Sequence, residues 1–206
     1  MTLNLEKIDL AQVIPKLKNI KGNGRGNDVK YILKHIRNTE GEEGVEKLKQ
    51  ELEKHGYRLP DEKELGDLQD VPLGMWDICM VVAAKLFGWT EKDVLEMGRD
   101  SFSHNLSLKL FIKFFPSPKT TLELAAKNWK KHLSEGEAEI TEFDKQKKQI
   151  ILRVKNFQTH PIRCVYQKGL FQALAEYVVN SKKVNIKETK CTFKGDSYHE
   201  YIINWE

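Results

Sequence analysis

Cysteine is scarce in this chain, with three among 206 residues. An odd and small number excludes a disulfide framework, and a reducing, cytoplasmic setting is the expectation that follows. Long apolar runs are missing too. The most apolar stretch, Ile78 to Phe87 (ICMVVAAKLF), is interrupted by Lys85 and falls short of the roughly 18 residues a membrane span needs. The opening MTLNLEKIDL has neither the basic n-region nor the apolar h-region of a secretory signal. No membrane span is therefore expected.

A strong charge of one sign is also lacking. Thirty-four basic and 30 acidic side chains leave a net charge of +4. The densest basic stretch, Lys16 to Lys30 (KLKNIKGNGRGNDVK), sets five bases against one acid and reads as a solvated loop face. No basic and aromatic residues interleave as a single-strand platform requires, so nucleic acid is not an expected partner. The glycines of GNGRGN follow no apolar strand, which a phosphate loop needs, and the segment reads as a flexible loop. The chain contains no G-x-S-x-G and no H-E-x-x-H. Nothing in it assigns an enzymatic activity.

What the sequence does hold is helical periodicity followed by alternation. Asp9 caps a short helix presenting Leu10, Val13, Ile14 and Leu17. Val29, Ile32, Leu33 and Ile36 keep helical spacing, and a second helix with Val45, Leu48 and Leu52 follows the turn residues Gly41 and Gly44, closing at Gly56. A polar connector runs from Pro60 to Pro72. Then comes a helix with a wide apolar arc, Met75 to Phe87. Thr90 and Asp93 form a capping box for the next helix, which Gly98 is expected to end. Leu106 to Phe115 reads as helix, and Ser117-Pro118 introduces another over Thr121 to His132.

From residue 137 the period shortens to two. EAEITEFD and QIILRVKNF read as a hairpin, Val165 to Val179 as a helix, and VNIKETKCTF with HEYIINW as a second hairpin. The expected fold is α+β: an N-terminal helical bundle packed on a C-terminal antiparallel sheet of hairpin–helix–hairpin order. Residues 1–70 form a helical segment, either part of the same unit or a small extension, and residues 71–206 form the main domain.

The stretch CVYQKGLFQALAEYV, then VNIKETKCTFKGDSYHEYIINW, resembles the C-terminal half of the 4-vinyl reductase domain family. That family carries a Cys-bearing loop entering a glycine-bearing helix, a strand with Glu-x-x-Cys, and a turn with Gly-Asp-x-x-Cys. The matching residues here are Cys164, Gly169, Glu188, Cys191, Gly195, Asp196 and His199, with histidine where the family more often has cysteine. LFGWTEKDVLEMGRDSF is similar to a wider superfamily. It includes haem-based nitric-oxide sensing domains and small subunits of the Golgi transport tethering complex. The resemblance, over residues 70–206, implies helices on an antiparallel sheet around an apolar ligand pocket. Haem is not expected: the sensors hold haem propionates with Tyr-x-Ser-x-Arg, absent from ILRVKNF. His104 is the residue at which an axial ligand would be sought.

Four candidate metal ligands fall in two pairs, His160-x3-Cys164 and, after 26 residues, Cys191-x7-His199. Thiolate and imidazole together suit zinc, and a closed four-ligand set is structural. Zinc also accords with the family resemblance. The alternative is half-buried cysteines and surface histidines with no metal. Cys79 reads as a core thiol.

The expected function is a non-enzymatic small-molecule-binding sensory or regulatory domain, acting as a homodimer on an apolar or aromatic ligand. Candidate pocket residues are Trp76, Met80, Phe87, Phe111, Trp129, Tyr166 and Phe171. The alternatives are an assembly subunit acting through dimerisation and a haem-binding gas sensor.

Overall fold

The computed structural model describes residues 3, 5–105, 109–110, 112, 115 and 117–206. Helix α1 spans Leu10–Lys18, and the Asp9 side chain accepts from the Ala11 amide at 3.0 Å, satisfying one of the helix's free N–H groups. Strand β1, Asn23–Arg25, follows and pairs antiparallel with β2, Asp70–Pro72. The glycine-rich segment expected as a loop is thus partly a strand. Arg25 fixes it, donating to the carbonyls of Lys131 at 2.7 Å and Leu68 at 3.0 Å and pairing with Asp70.

Helix α2 covers Gly26–Lys54 but is broken at Gly41, whose φ of 76° is non-helical. The two expected helices are therefore present as its halves. A left-handed residue interrupts helical backbone, and glycine adopts it without a Cβ penalty. Helix α3, Gly74–Phe87, is buried at every position from Gly74 to Ala84, so it is the centre of the helical layer.

Helix α4, Glu91–His104, starts on the Thr90–Asp93 capping box. It runs past Gly98, which lies inside it rather than at its end. Helices α5, Pro118–Lys127, and α6, Trp129–His132, lead into the sheet, and Ser117 Oγ accepts from the Thr120 amide at α5's start. The helix expected over Leu106 to Phe115 falls largely outside the described residues.

The sheet has the order β3 (Glu137–Asp144), β4 (Gln149–Lys155), β6 (Tyr198–Trp205), β5 (Val184–Lys190), all antiparallel. Helix α7, Pro161–Val179, connects the two hairpins and packs against α4. Strand alternation sorts the faces as period two demands. Ile150, Leu152 and Val154 of β4, with His199, Tyr201 and Ile203 of β6, turn to the helices and are buried. One apolar core runs from Leu5 and Ile14 through α3 to Ile203, so the N-terminal helices and the sheet share it. The fold is α+β, a helical N-terminal part on a C-terminal four-stranded antiparallel sheet.

Candidate functional site

On β5, Val184 and Ile186 face the core, and the same alternation brings Glu188 to that face. A register shift between Glu188 and Lys190 ends the regular ladder, the kind of bulge that re-aims side chains near a strand end. The chain then turns through Cys191, whose amide donates to Asp196 Oδ2 at 2.8 Å, and through Gly195 at φ 94°. It returns along β6 with His199 inward. Cys164, in the first turns of α7, meets this sheet edge from above.

Cys164, Glu188, Cys191 and His199 each direct one ligand atom into a common space, and all four atoms lie within 4.8 Å of one another. The two sulfurs are 3.9 Å apart, far beyond a disulfide. The edge of a tetrahedron with metal–sulfur bonds of about 2.3 Å is about 3.8 Å. Cys164 Sγ lies 3.8 Å from His199 Nδ1, and that nitrogen lies 3.2 Å from Glu188 Oε1. The other ring nitrogen, Nε2, lies 3.1 Å from the Phe157 carbonyl and 2.9 Å from Thr192 Oγ1. The Phe157 carbonyl holds a hydrogen at Nε2, so Nδ1, which donates to Glu188 in the absence of a metal, is the nitrogen that would give up its hydrogen to ligate.

Burial pushes both thiols up, Cys164 with added repulsion from Glu188 and Cys191. Burial also pushes the Glu188 carboxyl up, but hydrogen bonding and charge from His199 more than offset this and hold it below the ordinary range. Two buried thiols, an imidazole and a carboxylate therefore lack a cation strong enough to hold the thiols ionised. A metal ion would supply that charge.

His160 is not part of this group. It is the N-cap of α7, its Nδ1 accepting from the Ile162 amide at 3.2 Å. The structure brings three of the four sequence-selected ligands together and substitutes Glu188 for His160. The signal for Glu188 lay in the strand pattern, which puts an acid at an inward position after Val184 and Ile186. His104 ends α4, and its Nδ1 bonds the Asp100 carbonyl at 2.8 Å.

A second feature lies between helices and sheet. A cavity of about 90 Å³ is walled by Leu122, Ala125 and Ala126 of α5, Trp129 of α6, Phe171 and Leu174 of α7, and Ala138, Ile140, Ile150, Leu152 and Ile203 of the sheet. Of the sequence-selected pocket residues, Trp129 and Phe171 line it. Met80 is wholly buried in α3, Phe87 packs against Trp89, and Phe111 lies outside the described residues.

Trp76 and Tyr166 instead flank a buried ion pair. Arg163 Nε donates to Asp77 Oδ1 at 2.8 Å, with side chains 3 % and 0 % exposed. The guanidinium lies 4.6 Å from the Trp76 ring centre and 5.8 Å from that of Tyr166.

No family model matches this chain, and no curated protein does. Solved structures do match. An H-NOX protein from S. oneidensis in the Fe(II)NO ligation state is 16 % identical with a TM-score of 0.66, the match covering 88 % of this chain and 99 % of that one. An Fe(II) unliganded H-NOX mutant from K. algicida is 13 % identical, TM-score 0.64, covering 88 % and 96 %. An oxygen-binding H-NOX domain related to soluble guanylate cyclases, in its oxygen complex, is 13 % identical, TM-score 0.63, covering 88 % and 95 %. The chain has the fold of these proteins.

These neighbours correct the cofactor expectation of zinc with haem set aside. The chain shares its fold with proteins whose descriptions name Fe(II) or, for a further neighbour, haem redox potential, and the missing Tyr-x-Ser-x-Arg element did not make the fold a different one. Measured against a haem, the cavity is narrow, below the roughly 300 Å³ of ordinary ligand pockets. Its described walls are apolar and carry no imidazole, thiolate or phenolate for iron and no cation for a propionate. This narrow cavity does not fit a haem; a larger one of about 750 Å³, lined by Arg99, Phe102, Lys109, Ile112 and Tyr177 among others, lies beside α4 and α7.

Proposed function

We propose that this chain is a small-molecule-binding sensory domain built on the H-NOX fold, which takes a compact apolar ligand between α5, α7 and the sheet. The observation that carries the reading is the cavity wall, formed by apolar side chains of three helices and three strands. Ala125 and Ala126 make room where larger side chains would fill it. A dry apolar cavity somewhat larger than this one, about 150 Å³, binds xenon or benzene. A signal from such a domain passes to another protein or to a second copy, and a homodimer is the expected form.

The reading includes a metal ion on Cys164, Glu188, Cys191 and His199, tying the start of α7 to the edge of the sheet. The four convergent ligand atoms support it.

The test is thermal unfolding with and without benzene or xenon. Binding to the folded state raises the unfolding temperature by mass action. Wild type should shift, and Ala125→Phe, which fills the cavity, should not. An unshifted wild type at saturating benzene would end the apolar-ligand reading.

A second reading, gas sensing through bound haem, is favoured by the descriptions of the fold neighbours. The apolar cavity beside α5 offers haem no ligand, so on this reading haem occupies another part of the fold. Haem titration of the purified chain decides between them: a stoichiometric Soret band that shifts with nitric oxide would replace the apolar-ligand reading.

A further inference from the structure

Tyr201 is wholly buried, and its hydroxyl has no hydrogen-bond partner. Most buried hydroxyls are partnered, so an orphan beside four convergent ligand atoms needs a reason. Tyr201 stands directly opposite Glu188 in the β5–β6 ladder. Residues so paired on one face have Cβ atoms about 4.5–5.5 Å apart, within reach of a carboxylate and a phenol. Burial pushes its hydroxyl up, and of the neighbouring Cys164, Glu188 and Cys191 it is Glu188 that offers an acceptor to it. The register shift follows immediately after Glu188, so this is the last regular pair before the ligand turn.

Without metal, Glu188 Oε1 is held by His199 Nδ1 at 3.2 Å. An Nδ1 that ligates a metal carries no hydrogen, so loading the site removes that donor from Glu188. The Tyr201 hydroxyl faces the Glu188 carboxylate without closing a full hydrogen bond to it.

We propose that Tyr201 is the positioning residue of the metal site, donating its hydroxyl to Glu188 when the ion is bound and so fixing which carboxylate oxygen ligates. This rests on the metal-site reading above. Partners behind a ligand characteristically contribute tenfold to a hundredfold in metal affinity.

The experiment is a Co²⁺ titration of the full chain, read by the thiolate charge-transfer and ligand-field bands. Wild type should bind one equivalent. Tyr201→Phe should bind about 10–100-fold more weakly with altered ligand-field bands, while the metal-free protein unfolds no earlier than wild type, because the lost hydroxyl had no partner to lose. A purely structural tyrosine would do the reverse, lowering metal-free stability and leaving the spectrum alone.

Glu188→Gln supplies the second arm. If Tyr201 acts through Glu188, adding Tyr201→Phe to Glu188→Gln should cost no further affinity. A full, additive loss in the double variant would overturn the proposal, as would wild-type affinity and spectrum in Tyr201→Phe. If wild type itself binds no Co²⁺, the metal reading fails and takes this inference with it; if wild type binds and Tyr201→Phe is unaffected, only the role of Tyr201 fails.

Discussion

Gly98 of α4 and Gly169 of α7 lie where their helices touch backbone to backbone. A Cβ on Gly98 would stand 2.0 Å from the Tyr166 carbonyl oxygen, and one on Gly169 would stand 1.9 Å from that of Leu95. Each glycine is there for the space it leaves on the facing helix.

Gly98→Ala and Gly169→Ala should therefore each destabilise the fold, by about 1–3 kcal/mol or more, since backbone on the other side cannot swing away. Urea unfolding measures this. Gly56, whose added Cβ would meet nothing, is a control for space but not for strain, because its φ is 63°.

The Arg163–Asp77 pair should be costly to break. Asp77→Ala leaves a guanidinium buried at 3 % exposure without its carboxylate, an effect worth about 3–5 kcal/mol. Replacing both partners with apolar residues of similar size should cost less than either single change. A double variant as unstable as the sum of the singles would show the pair is not coupled.

Asp28 gives the fold a pH dependence of definite sign. Burial raises its carboxyl from 3.8 to about 7, against the lowering effect of Arg163 and Arg25. An acid with a raised folded pKa holds its proton more tightly when folded. Its contribution is fully present below about 3.8 and is lost as pH rises through about 7. Asp28→Asn should thus gain on wild type as pH climbs from 4 to 7, and the gap should level off above. Unfolding midpoints across that range test it; a gap that shrinks with rising pH would contradict the assignment.

His160 and Cys191 separate capping from metal binding. Cys191→Ser should abolish stoichiometric Co²⁺ uptake. His160→Ala should leave uptake unchanged and cost about 0.5–2 kcal/mol, the range for a lost N-cap. Equal metal loss in both variants would restore His160 to the ligand set.

Local chemistry was legible in the sequence wherever a residue's role depends on its near neighbours. Asp9, Thr90 with Asp93, and the break at Gly41 read correctly because caps and left-handed glycines act within one helical turn. The alternation of EAEITEFD and QIILRVKNF marked β3 and β4 as strands for the same reason. Gly98 read as a helix end because a glycine's local signal is the same whether it terminates a helix or admits another one.

The sequence by itself determined the α+β order, and it singled out Cys164, Cys191 and His199, because periodicity and residue chemistry are properties of the chain. Only the tertiary structure decided that Glu188 joins them and His160 does not. Which side chains share a space depends on the β5–β6 register and on where α7 lands on the sheet, and both are set by packing between segments distant in sequence. The cavity beside α5 belongs to that second class too, since a void is what remains when every other side chain has found its place.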